Sequence, residues 1–246
     1  MKNIKNIENS YNGYYKLIEK LRDIKDHEFI EQYVGFYFHF KKNPNWGKKV
    51  IDFGGRIGEK TRLINNVTVV EIDDQARKYM KKNKIKCVKR IDSIADNSID
   101  TIYASHVLEH VDNPAIYLNK FYKKLKKGGT LILVLPVEVP MFETKKIDLN
   151  GHIYNWNFVN INTLLEKLNF KVEESYMYSF KGFRFLKNFG KKLFFVYLNF
   201  LYFINQFKLI RFMMFVGRFF FNFLFKLFGL MFFFYPEKVI YAKKKN

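Results

Sequence analysis

From Val50 to Pro136, short apolar runs alternate with segments whose apolar residues recur every three or four positions. Val50–Phe53 reads as a strand, and Glu59–Ile64 as the opening of a helix. Val67–Ile72 is a strand and Asp74–Lys82 a helix. Cys87–Ile91 and Ile99–Ala104 are strands, the second following the turn Ala95–Ser98. Pro114–Leu125 has apolar residues at 114, 115, 118, 121, 122 and 125, a helical spacing. Lys126–Gly129 ends that helix, with Gly128 a natural residue just past its last turn. Thr130–Leu135 is a strand stopped by Pro136. Upstream, residues 11–45 predict N-terminal helices, ended by Pro44. Strands alternating with helices predict a largely parallel sheet, whose ligands bind beyond the carboxyl ends of the strands. No internal repeat is apparent.

Composition adds a second regime. A chain of 246 residues can bury one sizeable core, with or without an appendage. The single Cys87 excludes an internal disulfide framework and fits a reducing compartment. The first residues contain no apolar stretch of a signal peptide. The net charge of +20 points to an anionic partner. A genome rich in AT codons would also raise Lys and Phe together, but it would not cluster them. From Lys181 onward there are 13 Lys and Arg against one acid, Glu237, and 20 of the 29 Phe lie between Phe180 and Phe234.

The turn after the first strand, Gly54 to Gly58, decides the cofactor. A dinucleotide turn needs glycines at relative positions 0, 2 and 5. Here Gly54, Gly55 and Gly58 stand at 0, 1 and 4, and Arg56 fills the place of a second glycine. A phosphate-binding Walker loop fails too, for no Gly-Lys-Ser/Thr follows. Asp52, Gly54 and Gly58 form Asp-x-Gly-x-x-x-Gly, and an acid, Glu71, lies 19 residues after Asp52. An acid at the end of a second strand lies beside the first turn and can accept two hydroxyl donors.

This arrangement resembles the class I S-adenosylmethionine-dependent methyltransferases, of the type 11 kind. The likeness continues through Arg90–Pro114 and Leu125–Pro136, through Gly151–Ser175, and into Glu237–Lys245. It implies an α/β fold: a Rossmann-like seven-stranded methyltransferase sheet with helices on both faces. S-adenosylmethionine is then the cofactor. Asp52, Gly54, Gly55 and Gly58 would wrap its methionine part, and Glu71 would hold the ribose, with Ile72 beside it. Asp92 would accept from the adenine amine, Ser93 and Ile94 would line the base, and Ser105 would end the fourth strand at the cofactor. Arg56 departs from the family's glycine; it is accommodated with a negative φ and a solvent-facing side chain. His106 either faces the transferred methyl group and serves as a base toward the acceptor, or is a hydrogen-bonded structural histidine. His152, Tyr154 and Trp156 fall where an acceptor pocket is walled, and equally suit local packing.

Two other motifs carry less. His106–His110 reads His-x-x-Glu-His, the pattern of one zinc protease class. It lacks a third ligand nearby, and the resembling family carries the same letters without metal, so no metal is expected. Tyr122–Lys126 has a dehydrogenase spacing but sits on an amphipathic helix without the matching glycine turn, and reads as a solvated face.

In the resembling fold strands six and seven form a hairpin. Here the basic, Phe-rich stretch 181–235 intervenes. Its longest uncharged run, Leu193–Phe207, has 15 residues, short of the roughly 18 of a membrane-crossing helix. On a helical wheel of about 100° per residue, Lys208, Arg211, Arg218, Asn222 and Lys226 fall within an arc of about 80°. The opposite side is Phe, Leu, Met and Val. Such a helix lies in a membrane interface with its cations toward headgroups; a lid, a dimer surface and a re-entrant hairpin are the alternatives. The expected organisation is an N-terminal helical segment (1–45), a cofactor-binding core (46–180), a membrane-associating insertion (181–235), and a final strand with a basic tail (236–246). The expected activity is O-methylation of a glycan, lipid-linked saccharide or lipid, on the cytoplasmic face of a membrane with anionic lipid as partner. An RNA methyltransferase, and a scaffold with a degenerate cofactor site, are the alternatives.

Overall fold

The computed structural model describes residues 40, 44–61, 64–136, 151–178 and 237–245. The expected insertion, 181–235, lies outside them, as do the expected N-terminal helices apart from Phe40 and the stretch from Pro44. No helix among the described residues is long and apolar enough to cross a membrane.

The strands are β1 (Val50–Phe53), β2 (Val67–Val70), β3 (Cys87–Val88), β4 (Ile99–Ser105), β5 (Leu125–Pro136), β6 (Phe170–Tyr178) and β7 (Glu237–Lys244). The helices are α1 (Asp74–Lys82), α2 (Pro114–Lys124) and α3 (Phe158–Lys167), with a 3₁₀ turn at Ile91–Ser93. They build one seven-stranded sheet in the order β3-β2-β1-β4-β5-β7-β6. Only β7 runs antiparallel to its neighbours. The carboxyl ends of the other six strands therefore share one edge.

Strand side chains alternate between two buried faces, which is why the strands read as continuous apolar runs. On one face Ile51, Phe53, Ile102, Ala104, Leu131, Leu133 and Leu135 pack with Leu118 and Phe121 of α2 and Ile161 and Leu165 of α3. On the other, Val50, Tyr103, Ile132, Val134 and Val239 pack with Phe40, Ile64 and the edge of Trp46. Each helix starts on a polar side chain that accepts from its first turn: Asp73 from Ala76 N, Asn113 from Ile116 N, and Asn157 from Asn160 N. Such caps are worth about 1 kcal/mol each.

Two local expectations are corrected. Glu59–Thr61 form turns, not the start of a helix. The link from β1 to β2 must first complete the glycine turn, and Asn66, at φ 57°, already leads into β2. Too little chain is left for a helix. Gly128 does not cap α2 either: Leu125 is the cap, already extended and donating to Phe121 O, while Gly128 lies in the irregular start of β5.

The chain leaves β6 at Tyr178 and re-enters the sheet at Glu237. These two residues are paired in register, and Glu237 also faces Pro136, the last residue of β5. The intervening segment is thus spliced in at the carboxyl edge, where parallel sheets bind ligands.

Candidate active site

At the end of β1 the ladder with β2 runs one bond further, and the backbone then turns back. Gly54 N donates to Val70 O at 2.8 Å, and Gly58 N donates to Gly55 O at 2.7 Å. Gly54 has φ 69° and Gly58 φ 74°, the left-handed region that glycine enters without penalty. A Cβ on Gly54 would stand 2.5 Å from Val107 Cγ2, and one on Gly55 would stand 2.4 Å from the Asp52 carboxyl. The absent side chains let the turn after β4 close in and let Asp52 tuck beneath the loop.

Asp52 is buried, and Thr61 Oγ1 donates to its Oδ2 at 2.5 Å. Burial lifts its pKa to about 7; the Thr61 hydroxyl opposes this, and the nearby Glu59 adds to it. Glu71 is buried too. Its Oε2 accepts from Arg56 N at 3.0 Å and its Oε1 from Asp73 N at 2.9 Å. Burial pushes its carboxyl up although both amides favour the charged form. Each oxygen keeps a lone pair for a further donor. Ile72, directly after it, is 70% exposed, an apolar surface beside a buried acid. That pairing fits a ribose and base at the carboxyl end of β2.

Arg56 departs from expectation on both counts. Its φ is 53°, and its side chain is only 30% exposed, with Nη1 3.4 Å from Glu59 Oε1. It takes the second position of the Gly55–Gly58 turn, where positive φ favours glycine. The cost is about 1–2 kcal/mol. Its amide on Glu71 and its guanidinium on buried Glu59 hold it there.

The predicted adenine residues sit on the 3₁₀ turn. Asp92 is exposed and pairs with Lys120 Nζ at 2.8 Å, which holds its carboxyl below the usual range. Ser93 Oγ donates to Arg90 O at 2.8 Å. Ile94 packs against the α2–α3 core. At the end of β4, Ser105 Oγ accepts from Lys60 Nζ at 3.2 Å. Lys60 was not among the residues singled out from sequence, although it directly follows the glycine turn. It puts a cation between β1 and β4.

His106 also has positive φ, 54°. Its Nε2 lies 2.8 Å from Glu237 Oε1, and its Nδ1 lies 3.3 Å from Glu109 Oε1. Burial would lower its pKa, but the two carboxylates override this and raise it to about 9. Both ring nitrogens are thus engaged by carboxylates, the hydrogen-bonded arrangement of a structural histidine. Glu237 lies 131 residues away; nothing local in the sequence links it to His106, and only the register of β7 does.

The aromatic trio divides. Ile153 N and Tyr154 N both donate to Glu109 O, at 2.7 and 3.3 Å, binding this segment to the turn after β4. Tyr154 Oη donates to Asp112 O at 2.7 Å, and its ring stacks on Trp156 with centroids 5.5 Å apart. Trp156 is buried in the α2–α3 core. Packing and backbone bonding thus engage Tyr154 and Trp156. His152 instead meets His110, ring centroids 4.9 Å apart.

Comparison with known proteins agrees with this architecture. The sequence profile of a family described as a methyltransferase domain matches residues 24–175. Among solved structures, an S-adenosylmethionine-dependent methyltransferase from Archaeoglobus fulgidus is 20% identical over 94% of this chain and 100% of that one, with a TM-score of 0.56. The phosphoethanolamine N-methyltransferase 2 of Haemonchus contortus, in complex with S-adenosyl-L-methionine, is 15% identical over 88% of this chain and 53% of that one, at a TM-score of 0.53. A methyltransferase from Methanosarcina mazei is 12% identical over 82% and 94%, also at 0.53. At these identities the likeness is one of fold. No curated protein matches the chain.

Proposed function

The chain belongs to the methyltransferase-domain family, and from that premise we propose that it methylates an acceptor hydroxyl presented at a membrane surface. S-adenosylmethionine is the donor. When bound, it supplies a methyl group on a positive sulfur, already activated for displacement, so the protein's share is alignment and care of the acceptor's proton.

Glu71 accepts the ribose hydroxyls and Ile72 offers an apolar face beside them. Asp92, released from Lys120 or shared with it, accepts the adenine amine. Asp52 and Thr61 set the glycine turn from below. Lys60 places a cation at the carboxyl edge of β4. That edge suits an acceptor carrying negative charge, such as a phospholipid head or a lipid-linked saccharide.

The observation that carries the membrane half is the splice at Tyr178 and Glu237. A segment with nine Lys and Arg interleaved with Phe between residues 181 and 235 is joined to the sheet at the edge where ligands bind. Each cation of its stripe near an anionic surface contributes on the order of 1 kcal/mol. Vesicle flotation tests this. The chain is expected to float with anionic vesicles and, more weakly, with neutral ones. Replacing Lys208, Arg211, Arg218 and Lys226 by Gln is expected to cost a few kcal/mol at most, about 1 per cation. A chain that stays below anionic vesicles has no membrane role, and the insertion is then a lid or a self-association surface.

The charge also motivates an RNA methyltransferase. Against it, basic residues alternate with Phe instead of lining a polar groove, and the Asn/Asp-Pro-Pro-Tyr motif of base-amine methylation is absent after β4. Membrane association that resists salt separates the two. Arg56 at positive φ motivates the third reading, a scaffold with a failed cofactor site; calorimetry with S-adenosylmethionine decides it.

A further inference from the structure

Glu109 is wholly buried, and neither of its carboxylate oxygens makes a hydrogen bond with a described residue. The His106 ring faces it, with Nδ1 3.3 Å from Oε1. A buried carboxylate with so little around it is expensive unless a cation or a set of donors completes it.

Two further ligand types converge on this carboxylate. His110 follows it in the chain. His152 lies beside it because Ile153 N and Tyr154 N donate to the Glu109 carbonyl. One ligand atom each of Glu109, His110 and His152 lie within 4.8 Å of one another. Ligands at roughly 2.0–2.2 Å from a zinc ion stand about 3.3 Å apart in a tetrahedron. His152 is half-buried and His110 lies at the surface, and a modest rotation of each ring closes the triad. His110 Nδ1 is 3.3 Å from Gly151 O. A neutral ring donating there carries its lone pair on Nε2. A backbone carbonyl behind a histidine is the support metal-binding imidazoles commonly have.

We propose that Glu109, His110 and His152 bind one divalent transition-metal ion, Zn²⁺, Co²⁺ or Mn²⁺, just past the carboxyl end of β4. Two imidazoles and a carboxylate suit these ions; Mg²⁺ and Ca²⁺ favour oxygen ligands throughout. Three protein ligands leave a position open for water or an acceptor oxygen. His106 is a positioning residue. It holds Glu109 through Oε1 and is itself held by Glu237, leaving Oε2 for the ion. The third ligand, which the His-x-x-Glu-His motif lacks within its own turn, is His152. The site stands without the methyl-transfer reading.

The test uses the full chain, stripped with a chelator and titrated with Co²⁺ alone. One equivalent is expected to bind with the visible absorption of a low-coordinate site, and Zn²⁺ is expected to bleach it. His152→Ala and, separately, His110→Ala are expected to weaken Co²⁺ binding about 100-fold. Their melting temperatures in chelator are expected to match the parent, because both rings lie at the surface of turns. His106→Gln is expected to shift the Co²⁺ spectrum and weaken binding about tenfold. Absence of saturable Co²⁺ absorption overturns the proposal, and so does parental affinity in both alanine variants. S-adenosylhomocysteine calorimetry in chelator separates the two functions. Loss of cofactor binding with Co²⁺ binding intact removes the methyl-transfer reading and leaves the metal site.

Discussion

Two turns at the carboxyl edge, one after β1 and one after β4, are built alike and finished differently. Each places a basic residue at positive φ, Arg56 at 53° and His106 at 54°. Each basic side chain reaches an acid three residues on, Arg56 to Glu59 and His106 to Glu109. In the first turn the other buried acids are also answered from within: Asp52 by Thr61, Glu71 by two backbone amides. In the second, Glu109 meets, among the described residues, the His106 ring at 3.3 Å and no hydrogen-bond donor. The first turn is the more fully satisfied, with one oxygen of buried Glu59 left without a hydrogen bond among the described residues, and Glu71 offers spare lone pairs. The second is incomplete without something else. A buried acid satisfied by backbone amides marks a rigid cradle for a neutral hydroxyl ligand, and a buried acid left short marks a place for a cation.

The sharpest way to break this comparison is Glu71→Ala. The variant loses the acceptor for two ribose hydroxyls, each hydrogen bond to a charged acceptor being worth about 1.5–3 kcal/mol. It also frees the amides of Arg56 and Asp73. Affinity for S-adenosylhomocysteine should fall by about 100-fold or more, read by calorimetry. Unchanged affinity would mean that the first turn is no more committed to a ligand than the second, and the ribose assignment would go.

Asp52→Asn probes the cost of the first turn. Asp52 has its pKa raised from 3.8 to about 7, chiefly by burial. The folded state thus holds its proton more tightly than the unfolded chain. The associated stability is fully present below pH 3.8 and is lost as pH rises through about 7. Asparagine keeps an oxygen for the Thr61 hydroxyl and carries no charge. Relative to the variant, the parent should lose stability steadily from pH 4 to pH 7, by at most about 4 kcal/mol. Thermal melts across that range check it. Parallel pH profiles for the two proteins would show that Asp52 stays charged throughout.

Much of the first turn was legible because its chemistry is local. Asp52, the three glycines and Glu71 lie within 20 residues, and strand periodicity puts them at neighbouring carboxyl ends. The alternation gave the parallel part of the sheet, and the family resemblance supplied the full seven strands, down to a last strand at Glu237. What failed was the conformation of single residues. Nothing in the letters says that Arg56 would adopt a glycine's φ, since that depends on Glu59 and Glu71 gripping it. The helix at Glu59 failed because the link to β2 is too short, and a propensity reading does not count the residues a turn consumes. The second turn was legible only as a motif. Its partners are His152, brought in by two amides on the Glu109 carbonyl, and Glu237, brought in by the register of an antiparallel strand. Such contacts across the sheet leave no spacing to read.

The smallest effect is expected at Arg56 itself. Arg56→Gly relieves a left-handed strain of about 1–2 kcal/mol. It gives back roughly 0.5–1 kcal/mol through the greater freedom of glycine in the unfolded chain. It also removes the guanidinium from Glu59, which is only 4% exposed and then lacks that cation. These terms nearly cancel, so the melting temperature should move little in either direction. Arg56→Ala loses the same ion pair but keeps most of the strain, and should be less stable than the glycine variant by about 1 kcal/mol. That ordering, glycine above alanine, is the signature of a positive φ that the side chain does not prefer. Equal stability of the two variants would place Arg56 in an ordinary conformation and dissolve its likeness to His106. Cofactor affinity should stay within a few-fold in Arg56→Gly, because the contact with Glu71 runs through the backbone amide, which glycine retains. Binding that is undetectable in the parent and restored by glycine would instead show that the guanidinium fills the cofactor's place, and the scaffold reading would replace the enzyme.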